Sequence, residues 1–269
     1  MERKKKIVIF ISILAIFTVF SISVIKTNDN LKTIITSSET ISNKKIGWGI
    51  KRNNNNEQPD VGSANKTVLE ENNGICLGNK EKKYIYLTFD EGYEAGYTEK
   101  ILETLKNNNV KAAFFITAHY VNTQPELVQR MIDEGHIVGN HTVNHKSMPD
   151  ITDKQITEEV MKLHQVIYEK FGYDMKYIRP PMGEFSQRTL IKCNSLGYKT
   201  VMWSFAYCDW NENDQPDKEE AKKMILGNVH NGEIMLLHGN SKTNTDILDE
   251  IIKEIKNKGY EFRNLDKFE

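Results

Sequence analysis

From residue 84 onward the chain alternates short apolar runs with segments of helical spacing, and this alternation restricts the fold more than any other feature. Residues 84–89, 110–116, 136–138, 177–178, 198–205, 233–237 and 260–262 read as strands. Between them, Ile101, Leu102 and Leu105 recur at helical spacing, as do Leu127, Val128, Met131 and Ile132. A longer stripe carries Ile156, Val160, Leu163 and Ile167 on one face. Helix starts are expected at Thr123-x-x-Glu126 with Pro125 in the first turn, at Thr152-x-x-Gln155, at Ser186 and at Asp217-x-x-Glu220. Gly135, Gly197 and Gly259 read as stops. About seven βα repeats with right-handed crossovers predict an α/β chain built on a parallel sheet, open or closed.

Five polar islands punctuate this pattern: TFDEG at 88–92, HTVNH at 141–145, RPPMG at 179–183, CDW at 208–210 and LLH at 236–238. Four of them stand where an apolar segment has just ended, and HTVNH follows a weaker one. Parallel α/β folds collect their chemistry at one face, from successive strand ends. The distribution points to an enzyme.

The remainder of the chain bounds where such an enzyme works. Lys plus Arg total 36 and Asp plus Glu 37, a net charge of −1, so no basic excess argues for nucleic acid. Three cysteines (Cys76, Cys193, Cys208) are too few and too scattered for a disulfide framework or a Cys-based zinc site, and at least one is expected to be a free thiol. Basic residues 3–6 precede residues 7–25, nineteen positions without charge, about enough to cross a hydrocarbon core of roughly 30 Å. Residues 1–26 are therefore expected to be a cytoplasmic tip and membrane anchor, with the rest exported. A cleaved signal peptide, ending near Ser21-Ile22-Ser23, is the alternative. Residues 27–80 are polar and read as a linker and wrapping arm, with Trp48, between two glycines, expected to pack on the main domain. The catalytic domain is expected over residues 81–269.

Each island has a functional and a plain reading. Asp90 and Glu91 are a general base and a metal ligand, or an exposed acidic turn; adjacent strand residues face opposite ways, and a turn at Gly92 is needed to bring both to one site. His141 and His145, at i and i+4, on a helical turn present two imidazoles to a divalent metal such as zinc, or are capping and solvated histidines. With one carboxylate they complete a two-His, one-carboxylate zinc set that leaves a position for water. Arg179, stiffened by Pro180 and Pro181, is aimed at a carboxylate to keep it ionised, or lies on the surface beside a proline turn. His238 at a strand tip, with Asp209 at the neighbouring one, makes a general acid of raised pKa, or is a core histidine satisfied by a carbonyl. Trp210 walls the site, stacks on a sugar ring, or simply packs.

Taken in order, TFD-x-G, H-T-x-x-H, R-P-P-x-G, Asp-Trp and L-L-H closely resemble the motifs of NodB-type polysaccharide deacetylases, carbohydrate esterase family 4, over about residues 84–265. Residues 90–98, 133–142 and the tail 236–262, with the arm from Trp48 to Pro59, resemble the subgroup of peptidoglycan N-deacetylases that make muramic δ-lactam in spore cortex. The resemblance implies a distorted (β/α) barrel of about seven strands. It implies that Asp90 activates water, His141 and His145 bind the metal, Arg179 orients Asp90, His238 protonates the leaving amine and Asp209 tunes His238. Pro181, Gly183 and Trp210 are the implied substrate contacts, and the metal with a backbone N–H the implied oxyanion stabilisers. Three positions depart from the pattern. Glu91 stands where the family has a metal-binding Asp, a ligand its δ-lactam subgroup often lacks. Met182 stands where many relatives have an aromatic residue, and Ala206 where D-x-x-D-W has its first Asp.

The expected reaction is hydrolysis of the acetamide of N-acetylmuramic acid in peptidoglycan glycan strands whose stem peptide a muramoyl-alanine amidase has already removed. The freed amine can then close onto the lactyl carboxyl. The expected setting is an anchored enzyme with its catalytic domain outside the cytoplasm, in the forespore envelope. Two rivals stand beside it: a deacetylase of N-acetylglucosamine or of a chitin-like polymer, and a catalytically inactive wall-binding module.

Overall fold

The computed structural model describes residues 41–269, Asn54 excepted. The expected anchor at residues 1–26, and residues 27–40 of the expected linker, lie outside that range. No helix among the described residues is long and apolar enough to cross a membrane.

The chain opens with β1 (Ile46–Gly47), α1 (Ser63–Glu71) and β2 (Gly74–Ile75), then β3 (Tyr84–Glu91), α2 (Thr98–Asn107) and β4 (Ala113–Ile116). Next come α3 (Ala118–Thr123), α4 (Pro125–Asp133), β5 (Ile137–Asn140), α5 (Asp153–Phe171), β6 (Tyr177–Ile178) and β7 (Glu184–Phe185). It ends with α6 (Gln187–Ser195), β8 (Lys199–Val201), α7 (Lys218–Asn228), β9 (Glu233–His238), α8 (Lys242–Asn257) and β10 (Glu261–Phe262). Seven parallel strands, in the order β2-β8-β6-β5-β4-β3-β9, form one curled sheet, and the short β10 pairs with the start of β3. Past β8 the chain reaches the free edge of β9: Ser204 N donates to the Ile234 carbonyl and Leu236 N to that of Phe205. The curl is thus the distorted barrel that the family resemblance implied.

β3 is the central strand, and its alternation fixes the site. Ile85, Leu87 and Phe89 face outward into the core shared with the helices. Tyr86 faces inward with Phe115, Val201 and Ile234. By the two-residue period of a strand, Thr88 and Asp90 continue the inward row and Glu91 the outward one.

The helix starts follow the expected chemistry with one exception. Thr152 and Gln155 form a reciprocal capping box on α5, Ser186 caps α6 and Asp217 caps α7. Thr123 does not cap α4. Its hydroxyl donates back to the carbonyls of His119 and Tyr120 and closes α3, and Gln124 takes the cap position with no side-chain bond. Glu126 three residues on is uninformative here because Pro125 alone starts the helix.

Residues 42–80 are a packed, wrapping arm rather than a linker. They belong to the same compact unit as the rest, Ser42–Glu269. Their isolated apolar residues each find the barrel: Trp48, Val61, Leu69 and Cys76 are buried with Phe185, Leu190 and Met202. Trp48 Nε1 donates to the Trp203 carbonyl at 2.8 Å, and β2 is an edge strand of the sheet, paired with β8. Cys76, Cys193 and Cys208 are all free thiols.

Candidate active site

The inward residues at the carboxyl ends of the strands line a cavity of about 1060 Å³, with Asp90, His141, His145 and His238 on its wall. β3 and β9 run parallel in a register that sets Asp90 beside His238. The two groups expected to act as base and acid are therefore nearest neighbours on adjacent strands.

Arg179 is fully buried. Its Nη1 donates to Asp90 Oδ1 at 2.7 Å, its Nη2 to Thr88 Oγ1 at 2.9 Å and its Nε to the Val201 carbonyl at 3.2 Å. The guanidinium lies 4.2 Å from the Phe115 ring centroid. Burial pushes the Asp90 carboxyl up, but Arg179, then His141 and His238, outweigh it and hold the group below its ordinary 3.8. Asp90 is an ionised base with one oxygen fixed by Arg179.

His238 is paired to Asp209 twice. Its ring Nδ1–H donates to Asp209 Oδ1 at 2.7 Å and its backbone N–H to Oδ2 at 2.9 Å. Asn244 Nδ2 donates to the same Oδ2, and the Tyr207 hydroxyl donates to Asn244 Oδ1. Burial lowers the His238 pKa, but the Asp209 bond and charge, with Asp90, carry it above the ordinary 6.5. An imidazolium held by a carboxylate is a general acid. Asn244, which braces Asp209 from the first turn of α8, carried no sequence signal, since it is one polar residue in the all-polar run 240–246.

The two remaining histidines meet, though not on a helical turn as the i, i+4 spacing suggested. Residues 141–145 form a loop in which Thr142 (φ 68°) and His145 (φ 53°) are left-handed. Such positions cost of order 1 kcal/mol or more for a non-glycine residue. The surroundings hold them there: Thr142 N donates to Asn140 Oδ1, and Asn144 N and Nδ2 donate to the Glu159 carboxylate on α5, each at 2.7 Å. His141 Nδ1 must donate to the Arg179 carbonyl at 2.9 Å, so its Nε2 carries the lone pair, and burial lowers its pKa to about 4. That Nε2 lies 3.1 Å from His145 Nε2 and 3.6 Å from Asp90 Oδ2. Two such nitrogens fit as ligands of one divalent ion.

Glu91 does not join them. Its carboxyl lies on the outward side of β3, where Thr98 Oγ1 donates to Oε1 at 3.4 Å and Oε2 has no partner. A Cβ on Gly239 would sit 1.8 Å from Oε1, so the carboxyl occupies the space that a glycine there leaves open. Burial, then the charge of Glu94, raise its pKa well above 4.5, which favours the protonated form, a poor metal ligand. The strand period, which Gly92 does not reverse, is the reason. Among the described residues no group of three or more His, Cys, Asp or Glu side chains is placed to hold a metal ion.

Of the expected substrate contacts, Trp210 is half exposed on the cavity wall with its ring 5.4 Å from that of His238. Gly183 also lines the cavity; at φ 66°, a Cβ there would lie 2.6 Å from Trp203 Cη2. Pro181 is buried and off the wall, and Met182, left-handed at φ 59° and exposed, takes its place. Tyr93, His119 and Asn240 line the cavity without having been singled out in the sequence. Tyr93 and Asn240 fall within the stretches 90–98 and 236–262 that carry the subgroup resemblance, and His119 stands outside any motif.

Residues 77–201 match the family model described as polysaccharide deacetylase. Over 230 residues the chain is 42% identical to the peptidoglycan-N-acetylmuramic acid deacetylase PdaA of Bacillus subtilis, covering 85% of this chain and 88% of that one. The chain belongs to the polysaccharide deacetylase family. The solved structure of Bacillus subtilis PdaA, a family 4 carbohydrate esterase, superposes with a TM-score of 0.82 at 41% identity, over 85% of this chain and 98% of the other. A peptidoglycan-N-acetylglucosamine deacetylase of Bacillus cereus is 33% identical over 192 residues, covering 70% of this chain and 69% of its own. Polysaccharide deacetylases are hydrolases of N-acetyl amide bonds and depend on a metal ion.

Proposed function

We propose that this deacetylase removes the acetyl group from N-acetylmuramic acid in peptidoglycan whose muramic residues have lost their stem peptides. The observation that carries the reaction is the juxtaposition of Asp90, fixed by Arg179, with His238, fixed by Asp209, at one end of β3 and β9. The higher identity to a muramic acid deacetylase than to the glucosamine deacetylase supports the choice of sugar.

Asp90 Oδ2, the oxygen that Arg179 leaves free, takes a proton from water as that water attacks the acetamide carbonyl. His238 then gives its proton to the departing nitrogen, leaving acetate and a free amine. Asp209 and Asn244 keep the imidazolium in place for that transfer. A divalent ion, zinc on the strength of two imidazole donors, would be held by His141 and His145 and would polarise the acetamide carbonyl. The free amine so produced can close onto the lactyl carboxyl as a δ-lactam, which places an amidase before this enzyme. In this reading the protein is anchored by residues 1–26, with the catalytic unit facing the wall of the forespore envelope.

The test is mass spectrometry of amidase-treated peptidoglycan incubated with the purified protein, with and without a chelator and added zinc. The reading predicts muramic acid residues lacking an acetyl group and then water. Deacetylation confined to glucosamine residues would move the protein to the other sugar, and loss of no acetyl group under any condition would leave a wall-binding module.

A further inference from the structure

Six large apolar side chains are exposed among the described residues, and three of them, Tyr93, Met182 and Trp210, stand on the wall of this one cavity. Tyr93 is 41% and Trp210 52% exposed. Exposed rings gathered at one mouth suit a ligand with apolar faces, and the C–H face of a pyranose is such a surface. Trp210 leans on His238 and so belongs to the reacting sugar, whereas Tyr93 sits on the loop after β3 and has no part in the chemistry derived above.

One amide links the two. Asn240, two residues beyond His238, donates from Nδ2 to the Tyr93 hydroxyl at 2.7 Å and to the Trp210 carbonyl at 3.0 Å. The carbonyl only accepts, so it fixes which end of the amide is nitrogen. Both amide hydrogens are then committed to the protein. Oδ1 remains as an acceptor on a residue that lines the cavity and is 9% exposed. The loops after β3, β8 and β9 are thereby tied together at the mouth by a single side chain.

We propose that Tyr93 is a sugar-stacking residue that extends the Trp210 surface along the glycan, and that Asn240 is the positioning residue that sets the two rings. Its Oδ1 accepts a hydrogen bond from a hydroxyl or amide N–H of the bound chain. The inference rests on the glycan-directed reading above, and its test reads binding separately from acetate release.

Peptide-free peptidoglycan oligosaccharides are titrated into the full-length protein, following tryptophan fluorescence, and steady-state acetate release is measured on the same material. Tyr93→Ala and Asn240→Ala are each expected to weaken binding about tenfold or more, with the loss appearing as a raised KM rather than a lowered kcat. Tyr93→Phe, which keeps the ring, is expected to recover most of the affinity that Tyr93→Ala loses. Binding within twofold of wild type in both alanine variants overturns the proposal, as does a loss confined to kcat, which would make these residues part of the chemistry. A wild type that binds the oligosaccharides but releases no acetate contradicts the functional reading alone, because the titration still decides Tyr93 and Asn240. A wild type that binds none of them overturns the inference.

Discussion

At the scale of single residues, the site depends on carboxyl groups whose surroundings push them apart. Asp90 is held ionised by Arg179, while Glu91, its neighbour in sequence, is buried with one oxygen unpartnered. The same contrast governs His238, which is raised by Asp209 against the pull of burial. A raised histidine is protonated up to its own pKa and loses its proton as pH rises through it, so the alkaline limb of the activity profile belongs to His238 and the acidic limb to Asp90. In Asp209→Asn the burial remains and the opposing charge is gone. The alkaline limb of kcat/KM should move to lower pH, with activity at pH 7 falling roughly 10- to 100-fold; an unmoved limb would detach His238 from the acid role. Gly239 gives a second prediction. A Cβ there meets the Glu91 carboxyl at 1.8 Å, so Gly239→Ala should destabilise the fold by about 1–3 kcal/mol in chemical denaturation. Adding Glu91→Ala should recover most of that loss, and simple additivity of the two changes would contradict the contact.

At the scale of elements, what the sequence made legible followed from periodicity and capping. The α5 stripe of Ile156, Val160, Leu163 and Ile167 and its Thr152–Gln155 box needed no tertiary information, because each side chain acts within its own helix. The HTVNH loop did need it. Its left-handed residues, Thr142 and His145, sit in a loop held by Asn140 and, through Asn144, by Glu159 on another element, so spacing alone suggested a helical turn. In residues 42–80 only the packing of Trp48 was legible, for a related reason: the other apolar residues are sparse and become a core only against Phe185, Leu190 and Met202. Trp48 is the anchor of that arm, so Trp48→Ala should cost about 3 kcal/mol in chemical denaturation. Gly183 and Trp203, which touch Trp48 and line the cavity, should also shift, lowering affinity for glycan. Unchanged stability would show that the arm rides loosely on the barrel.

At the scale of the whole molecule, βα alternation implied a parallel sheet but not its strand order. The pairing of β9 with β3, which sets His238 beside Asp90 across a long stretch of chain, is a tertiary fact. Glu91 is the opposite case: the period of β3 alone sends it outward, away from the histidines, and no turn at Gly92 reverses it. The motif residues that did converge, Asp90, Arg179, Asp209, His238, His141 and His145, come from five strand ends or the loops after them. A barrel face collects groups in that manner, and the order of islands along the chain was already suggestive of it. The account rests on Asp90 as the base of a deacetylase. The direct measurement is acetate release from amidase-treated peptidoglycan by Asp90→Asn beside wild type, with wall binding measured on the same samples. Acetate release should fall by at least about a hundredfold while binding is retained; release at a rate near that of wild type would contradict the mechanism.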